Sequence, residues 1–133
     1  MSTVDPFIVT VLGETTSKEN SRRIVKIGGK TRSIKSAKAL AYSEMFKYLC
    51  PTRGSLLEGD LVMGIKIYYG SRRPDLSETL VLDLLQGKAY GNDRQVKRRF
   101  ADWGLDKENP RVELFIAPLD RTMDAIEYIM GLD

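Results

Sequence analysis

The chain has 133 residues, enough for one hydrophobic core and too few for two domains. Its 21 basic and 18 acidic residues give a formal net charge of +3, and 42% hydrophobic and 29% charged residues are ordinary for a globular protein. The chain has no histidine and one cysteine, which excludes an intrachain disulfide, a Ser–His–Asp triad, a Cys–His pair and a histidine-based zinc site.

No apolar run approaches the roughly 20 residues needed to cross a bilayer. Residues 1–6 lack the basic and apolar regions of a signal peptide. We therefore expect a cytoplasmic protein.

The first half of the chain predicts two strands and a helix. Phe7–Leu12 is short and β-branched, and 23–27 alternates before a Gly-Gly pair, so both predict strands. Apolar residues recur at helical spacing over 33–49, with Ser33 as the N-cap and Pro51 closing the helix.

The second half predicts a strand over Leu61–Tyr69, a helix over 74–86 stopped by a glycine, and strands over 93–100 and 111–116. The tail over 120–130 has the pattern of a short amphipathic helix. This order predicts a single α+β domain over 1–133, in which two main helices pack on one face of a mixed sheet.

Basic residues are concentrated in one segment of the N-terminal half of the chain. Residues 18–38 contain a single acid, Glu19, and eight cations: Lys18, Arg22, Arg23, Lys26, Lys30, Arg32, Lys35 and Lys38. Such a local field attracts polyanions, which favours nucleic-acid binding. The alternative is a solvated surface, and Lys35 and Lys38 fit the wet face of the first helix.

Three acids have spacings that favour a metal site. Asp75 opens the predicted helix, Glu78 follows one turn later, and Asp93 begins the next strand. If that strand runs beside the start of the helix, the three carboxylates converge, at a repulsion of about 4 kcal/mol per pair at 4 Å. A cation relieves this repulsion, and oxygen ligands without His or Cys select Mg²⁺ or Mn²⁺.

The same acids also fit a purely structural role. The spacing of Asp75 and Glu78 is that of a capping box, and acids in a first helical turn are favoured by the helix dipole. Asp83, which stands among leucines, fits a half-exposed position or an ion pair with a basic residue.

Taken in order, these motifs resemble the RusA family of Holliday junction resolvases. Residues 82–96, LDLLQGKAYGNDRQV, are similar to the Leu-Asp-Ala-Leu, Asn-Gly-x-x-Tyr and Asp-Asp-x-Gln-Val patterns of that family. Residues 75–78 match its Asp-x-Asp-Asn motif in part, and 110–116 correspond to its final strand. The resemblance spans most of the chain, and its specific part is about 72–96.

The resemblance implies a RusA-like fold and a homodimer that cuts four-way DNA junctions symmetrically, with Mg²⁺ or Mn²⁺ as cofactor. It implies that Asp75 and Asp93 are metal ligands, that Glu78 substitutes for a missing acid, and that Asp83 supports the site. Members are common in phages and prophages, which would place the protein in the cytoplasm of a bacterial host.

Basic residues around these acids are candidates for binding DNA phosphates. Arg72 and Arg73 precede Asp75, while Arg94, Lys97 and Arg98 follow Asp93. The segment after the first strand adds three more candidates, Lys18, Arg22 and Arg23. On a strand, Arg94 and Arg98 would share one face.

The chain departs from the family pattern in its spacing and at three positions. The distance from Asp75 to Asp83 is two residues shorter than is usual, so Asp75 could correspond to either of the motif's first two acids. Ser77 stands where the second Asp is usual, Glu78 stands where Asn is usual, and the helical Lys of the family has no equivalent, because Thr79 or Val81 falls there. Two alternatives to an active nuclease follow. One is a catalytically weakened junction-binding protein on the same fold, and the other is a small structural protein whose acids only cap helices.

Overall fold

The structure, a computed structural model, describes residues 4–15, 22–70 and 78–132. Its strands are β1 (Phe7–Leu12), β2 (Arg22–Ile27), β3 (Lys30–Lys35), β4 (Leu61–Tyr69), β5 (Val96–Leu105) and β6 (Arg111–Pro118). Its helices are α1 (Ala37–Leu49), α2 (Thr79–Leu84) and α3 (Thr122–Met130), with short 3₁₀ turns at Asp93–Gln95 and Leu119–Arg121. Together they form a small α+β domain with a mixed sheet, as predicted. In these ranges no helix has the length and apolar character needed to cross a membrane.

Four of the described strands form a mixed sheet in the order β1-β6-β4-β5. β6 runs antiparallel to β1 and β4, whereas β4 and β5 are parallel and are joined by a connection that contains α2. Every residue of the central strand β4 is buried, because helices pack on both faces of the sheet. Burial on both faces explains why the strand is apolar along almost its whole length rather than alternating, with Lys66 as the charged exception.

α1 and α2 pack on one face of this sheet, as predicted. Met63 and Ile65 of β4 share a buried core with Phe46 of α1 and Leu84 of α2. The tail helix α3 covers the opposite face, where Ala125 packs with side chains of β4 and β6.

Charged side chains are buried on the α3 face, next to the end of that helix. Lys66 and Glu113 lie opposite each other across β4 and β6 and are 7% and 9% exposed. The Lys66 ammonium donates to the backbone carbonyl of Leu132 (Nζ–O 3.1 Å). Glu113 accepts hydrogen bonds from Arg111 (Nε–Oε2 2.9 Å) and from the hydroxyl of Thr10. Each buried charge therefore has a partner, as burial in a low dielectric requires.

The first helix begins three residues later than predicted. Residues 30–35 form β3, which pairs antiparallel with β2, and the N-cap is Ser36 rather than Ser33. The Ser36 hydroxyl accepts the backbone N–H of Ala39 (3.2 Å). The prediction failed because Ile34 fits both a helical and a strand period. Lys35, which was expected on the exposed face of the helix, therefore lies in β3. Lys38 does lie on the exposed surface of α1.

Among the remaining boundaries the largest difference is the end of β5, which continues five residues past the predicted end, to Leu105. The described part of the predicted 74–86 helix is helical over Thr79–Leu84, and β6 continues two residues past the predicted end, to Pro118. Asp93 begins a 3₁₀ turn, and the strand predicted from it starts at Val96. The tail helix starts at Thr122, after a second 3₁₀ turn.

Candidate metal centre and nucleic-acid interface

Two of the predicted acids meet at the side chain of Gln86. Its amide nitrogen donates to a carboxylate oxygen of Asp83 (Nε2–Oδ1 3.0 Å), and its amide oxygen accepts the backbone N–H of Asp93 (3.1 Å). Asp83 is exposed and Asp93 is half-buried. One side chain therefore ties the last turn of α2 to the start of the 3₁₀ turn before β5.

The sequence of α2 explains why Asp83 faces solvent. The other residues near it are apolar and enter the core, namely Leu80, Val81, Leu82 and Leu84. Asp83 occupies the exposed position of the last turn, where a carboxylate remains hydrated. The leucines around Asp83 thus belong to the core, and the acid belongs to the surface.

A tight reversal returns the chain from Asp83 to Asp93. Gly87 has φ +84°, a conformation that favours glycine, and its N–H donates to the carbonyl of Tyr90 (2.8 Å). The Tyr90 hydroxyl donates back to the carbonyl of Leu82 (2.7 Å). Tyr90 is completely buried, so it anchors the reversal to the end of α2.

The 3₁₀ turn at Asp93 is fixed by a reciprocal pair of side chains. The Asn92 carboxamide accepts the N–H of Arg94 (2.9 Å), and the Gln95 amide oxygen accepts the N–H of Asn92 (3.0 Å). The Gln95 amide nitrogen also donates to the carbonyl of Leu57 (3.0 Å). These bonds explain why the chain turns at Asp93 before it extends into β5.

At alkaline pH the fold is expected to lose stability as buried tyrosines ionise. Burial raises the pKa of the Tyr90 phenol, and the negative charges of Asp93 and Asp83 raise it further. Burial also raises the pKa of the Tyr42 phenol. The unfolded chain loses these protons near pH 10, its ordinary tyrosine value, whereas the folded chain keeps them. The unfolded state then binds fewer protons, so the free energy of unfolding falls as pH rises above about 10.

Urea unfolding at a series of alkaline pH values, with tyrosinate absorbance as a second signal, measures this loss. Tyr90→Phe removes one of the two phenols and should show a shallower fall with pH. Equal slopes for the variant and the unaltered chain would contradict the assignment of Tyr90.

Glu78 lies at the other end of α2, away from Asp83 and Asp93. It is the residue before the first helical turn, and its carboxylate pairs with Arg99 of β5 (Nη1–Oε1 3.2 Å). The expected convergence of Glu78 with Asp93 is therefore wrong. The physical reason is the 3₁₀ turn, because it places Asp93 beside the end of α2 rather than beside its start.

Several predicted site residues lie outside the described residues, namely Asp75, Arg72, Arg73 and Lys18, as does Ser77, which stands where the family's second Asp is usual. Within 4–15, 22–70 and 78–132, no group of three His, Cys, Asp or Glu side chains is placed to hold a metal ion. Asp83 and Asp93 are the predicted acids that the described part of the chain brings together.

Three predicted DNA-binding cations lie exposed where β5 begins. Arg94 is in the 3₁₀ turn, and Lys97 is the extra residue at a register shift, since Val96 and Arg98 pair with consecutive residues of β4. Arg98 donates to the Thr122 hydroxyl of α3 (Nη1–Oγ1 3.2 Å). The predicted shared face of Arg94 and Arg98 is wrong because Arg94 precedes the strand. The backbones of Arg22 and Arg23 form the first two positions of β2 rather than a loop.

Sequence reasoning missed Gln86 and the ion pair of Arg99, a cation that it had grouped with the phosphate-binding residues after Asp93. Gln86 connects Asp83 and Asp93, and Arg99 binds Glu78. The available signal for Gln86 is its position three residues after Asp83, where side chains on a helical turn are neighbours. Arg99 gave no signal of its own, since its partner lies 21 positions away.

No model of a known protein family matches the sequence, and no match was found among curated proteins. The functional proposal therefore rests on the residues, on their geometry and on the resemblance of the 72–96 segment.

Proposed function

We propose that this chain is a Mg²⁺-dependent, structure-selective endodeoxyribonuclease that resolves four-way DNA junctions by paired, symmetric cleavage. The observation that carries the proposal is the meeting of Asp83 and Asp93 at Gln86, directly before the exposed cations of β5. Acidic side chains beside phosphate-binding cations are the combination that metal-assisted phosphodiester hydrolysis needs.

The donor atoms fit a hard divalent cation. Asp83 and Asp93 offer oxygen donors, and Mg²⁺ prefers one or two carboxylates together with several waters. Asp75, in the segment that leads into α2, would add a third carboxylate. Mn²⁺ has the same preference for oxygen and should substitute. When bound, such an ion lowers the pKa of water and stabilises charge on a phosphate.

The chain's own residues position these donors and the substrate. Gln86 fixes the Asp83 carboxylate and the backbone of Asp93 together, which reduces the reorganisation needed to bind an ion. Arg94 and Lys97 would bind the phosphates that flank the scissile bond. The charge of Arg99 is paired with Glu78, so the positive charge available to phosphates here comes from Arg94, Lys97 and Arg98.

Symmetric cleavage requires two sites. A four-way junction has a two-fold axis, so a homodimer with the same axis presents one site to each of two equivalent strands. The proposal therefore includes a homodimer, in the bacterial cytoplasm if the protein is of phage origin.

Cleavage of a synthetic four-way junction in Mg²⁺ tests the proposal. We expect paired symmetric nicks that EDTA abolishes, and a loss of about a hundredfold or more for Asp93→Asn, because the amide is a weaker ligand for Mg²⁺. Glu44→Gln is the matched control, since it neutralises an exposed carboxylate on α1 and should cut at the unaltered rate.

A junction-binding protein without nuclease activity is the second candidate. It is favoured by the ion pair that engages Glu78 with Arg99, which leaves two acids together in the described part of the chain. Tight junction binding without cutting, in Mn²⁺ as well as Mg²⁺, would support it over the nuclease. Cleavage that survives in both EDTA and Asp93→Asn would contradict the metal site.

A further inference from the structure

The β2–β3 ribbon (residues 22–35) is a two-stranded sheet separate from the main sheet. Its strands are joined by Gly28 and Gly29, with φ +60° and +78°, as the tight two-residue turn of a hairpin requires. The ribbon leads directly into α1 through Ser36. It therefore forms an arm attached to the domain at the start of that helix.

Apolar side chains on the ribbon lie in solvent. Ile24 is 75% exposed and Ile27 is 53% exposed, whereas Val25 and Ile34 are half-buried. A two-stranded hairpin is at best marginally stable alone in water, so further contacts would stabilise this arm. The exposed isoleucines indicate that a partner covers part of the ribbon.

The charge of the ribbon specifies the kind of partner. Its 14 residues include no acid and six cations, namely Arg22, Arg23, Lys26, Lys30, Arg32 and Lys35. Paired residues of the ribbon share a face, and successive residues along a strand alternate between the two faces. The register therefore assigns positions 22, 26 and 35 to one face and positions 23, 30 and 32 to the other. Positive charge on both faces suits a partner with negative charge on both sides.

We infer that the β2–β3 ribbon is an arm that lies in the major groove of a duplex DNA segment and binds the phosphates on both sides of it. The major groove is about 12 Å wide and admits a two-stranded ribbon. Each face would then turn one exposed isoleucine and one lysine toward a wall of the groove, Ile24 with Lys26 and Ile27 with Lys30, where the sugars and phosphates lie. The inference rests on the proposed function for its substrate, since the duplex would be an arm of the branched DNA.

Salt dependence of DNA binding, measured in EDTA so that no cutting occurs, tests the arm. Lys26→Gln/Lys30→Gln removes two exposed cations of the ribbon and leaves the predicted metal ligands unchanged. The logarithm of the association constant falls with the logarithm of salt concentration by about 0.9 for each phosphate contact, so the slope on a linear duplex should become shallower by about 1.8.

Two control variants separate contact from bulk charge and from misfolding. Lys47→Gln/Lys107→Gln removes two exposed cations elsewhere on the domain and should keep the slope of the unaltered chain. Lys26→Arg/Lys30→Arg keeps the charge of the ribbon and should also keep the slope. A slope unchanged by the Gln pair in the ribbon, or reduced equally by both Gln pairs, would overturn the inference.

A single-stranded oligonucleotide of the same length distinguishes a duplex from any polyanion. An equal change of slope on that strand would overturn the assignment to a duplex groove. Failure of the unaltered chain to bind duplex DNA at low salt would also overturn it. Cutting of the four-way junction is scored separately, so a nuclease with an unaltered ribbon slope refutes the arm alone, and a chain that binds through the ribbon without cutting refutes the nuclease alone.

Discussion

Glu113→Ala is expected to lower the free energy of unfolding by about 2–3 kcal/mol, because it removes a charged hydrogen bond to Arg111 and the hydrogen bond from Thr10. Glu113 is 9% exposed and binds Arg111 and Thr10 at once, while Lys66 lies opposite it on β4. Arg111 would keep its second carboxylate partner, Asp106 (Nη1–Oδ2 2.7 Å), which is more exposed. The loss should appear as a lower urea midpoint with an unchanged denaturant slope.

Two further variants show whether the loss comes from the charge. Glu113→Gln keeps the size and an acceptor for Thr10 but removes the negative charge beside Arg111, so its loss should lie between those of alanine and the unaltered chain. Glu108→Ala removes an exposed carboxylate from the loop before β6 and should change stability by less than about 0.5 kcal/mol. A loss below about 1 kcal/mol for Glu113→Ala would contradict the buried network.

Gly64→Val is expected to cost about 3 kcal/mol or more by forcing α3 away from the sheet. A Cβ at this position would lie 2.7 Å from Cγ1 of Ile129 and 3.1 Å from the backbone carbonyl of Ala125. Ile129 can change rotamer, but the carbonyl of Ala125 moves only with the helix. Thermal and urea unfolding would both register the loss.

Gly54→Val is the matched control for this substitution. Gly54 is exposed, its φ is not positive, and nothing lies within 4 Å of a Cβ placed there. Its stability should therefore change by about 0.5 kcal/mol or less. If Gly64→Val lost as little stability as the control is expected to lose, α3 would tolerate a side chain between itself and β4.

The main sheet was predictable because its strands carry a strong local signal. β1 and β4 are β-branched and apolar, and the structure gives both the predicted bounds. The hairpin at Gly28 was half predicted, since the turn ends β2 as expected but the second half of β3, residues 33–35, was predicted to begin a helix. The local preferences of Ile34 and Lys35 are too weak to decide between helix and strand, and their pairing with β2 selects the strand.

The site was less predictable than the fold. Asp83 and Asp93 stand ten positions apart, and the reversal at Gly87 and the amide of Gln86 bring the Asp83 carboxylate and the backbone of Asp93 together. The predicted convergence of Glu78 and Asp93 assumed that the next strand begins at Asp93. Asn92 and Gln95 instead fix a 3₁₀ turn there, and Asp93 lies beside the end of α2. Short loops of this kind are set by side-chain hydrogen bonds that periodicity does not encode.

The order of the sheet also bears on how the chain assembles during synthesis. β1 is paired with β6, and Thr10 lies 103 positions before its partner Glu113. A ribosome adds roughly 5–20 residues per second, so β1 waits for seconds before its partner strand exists. The sheet can close only after β6 has been made, as far as Pro118, and contacts of such long range make folding slow compared with that of helical proteins. Until then Ile8 and Leu12 on β1, which stay about half exposed even in the finished fold, have no strand beside them. Nascent chains are therefore most exposed to aggregation in the interval before β6 emerges.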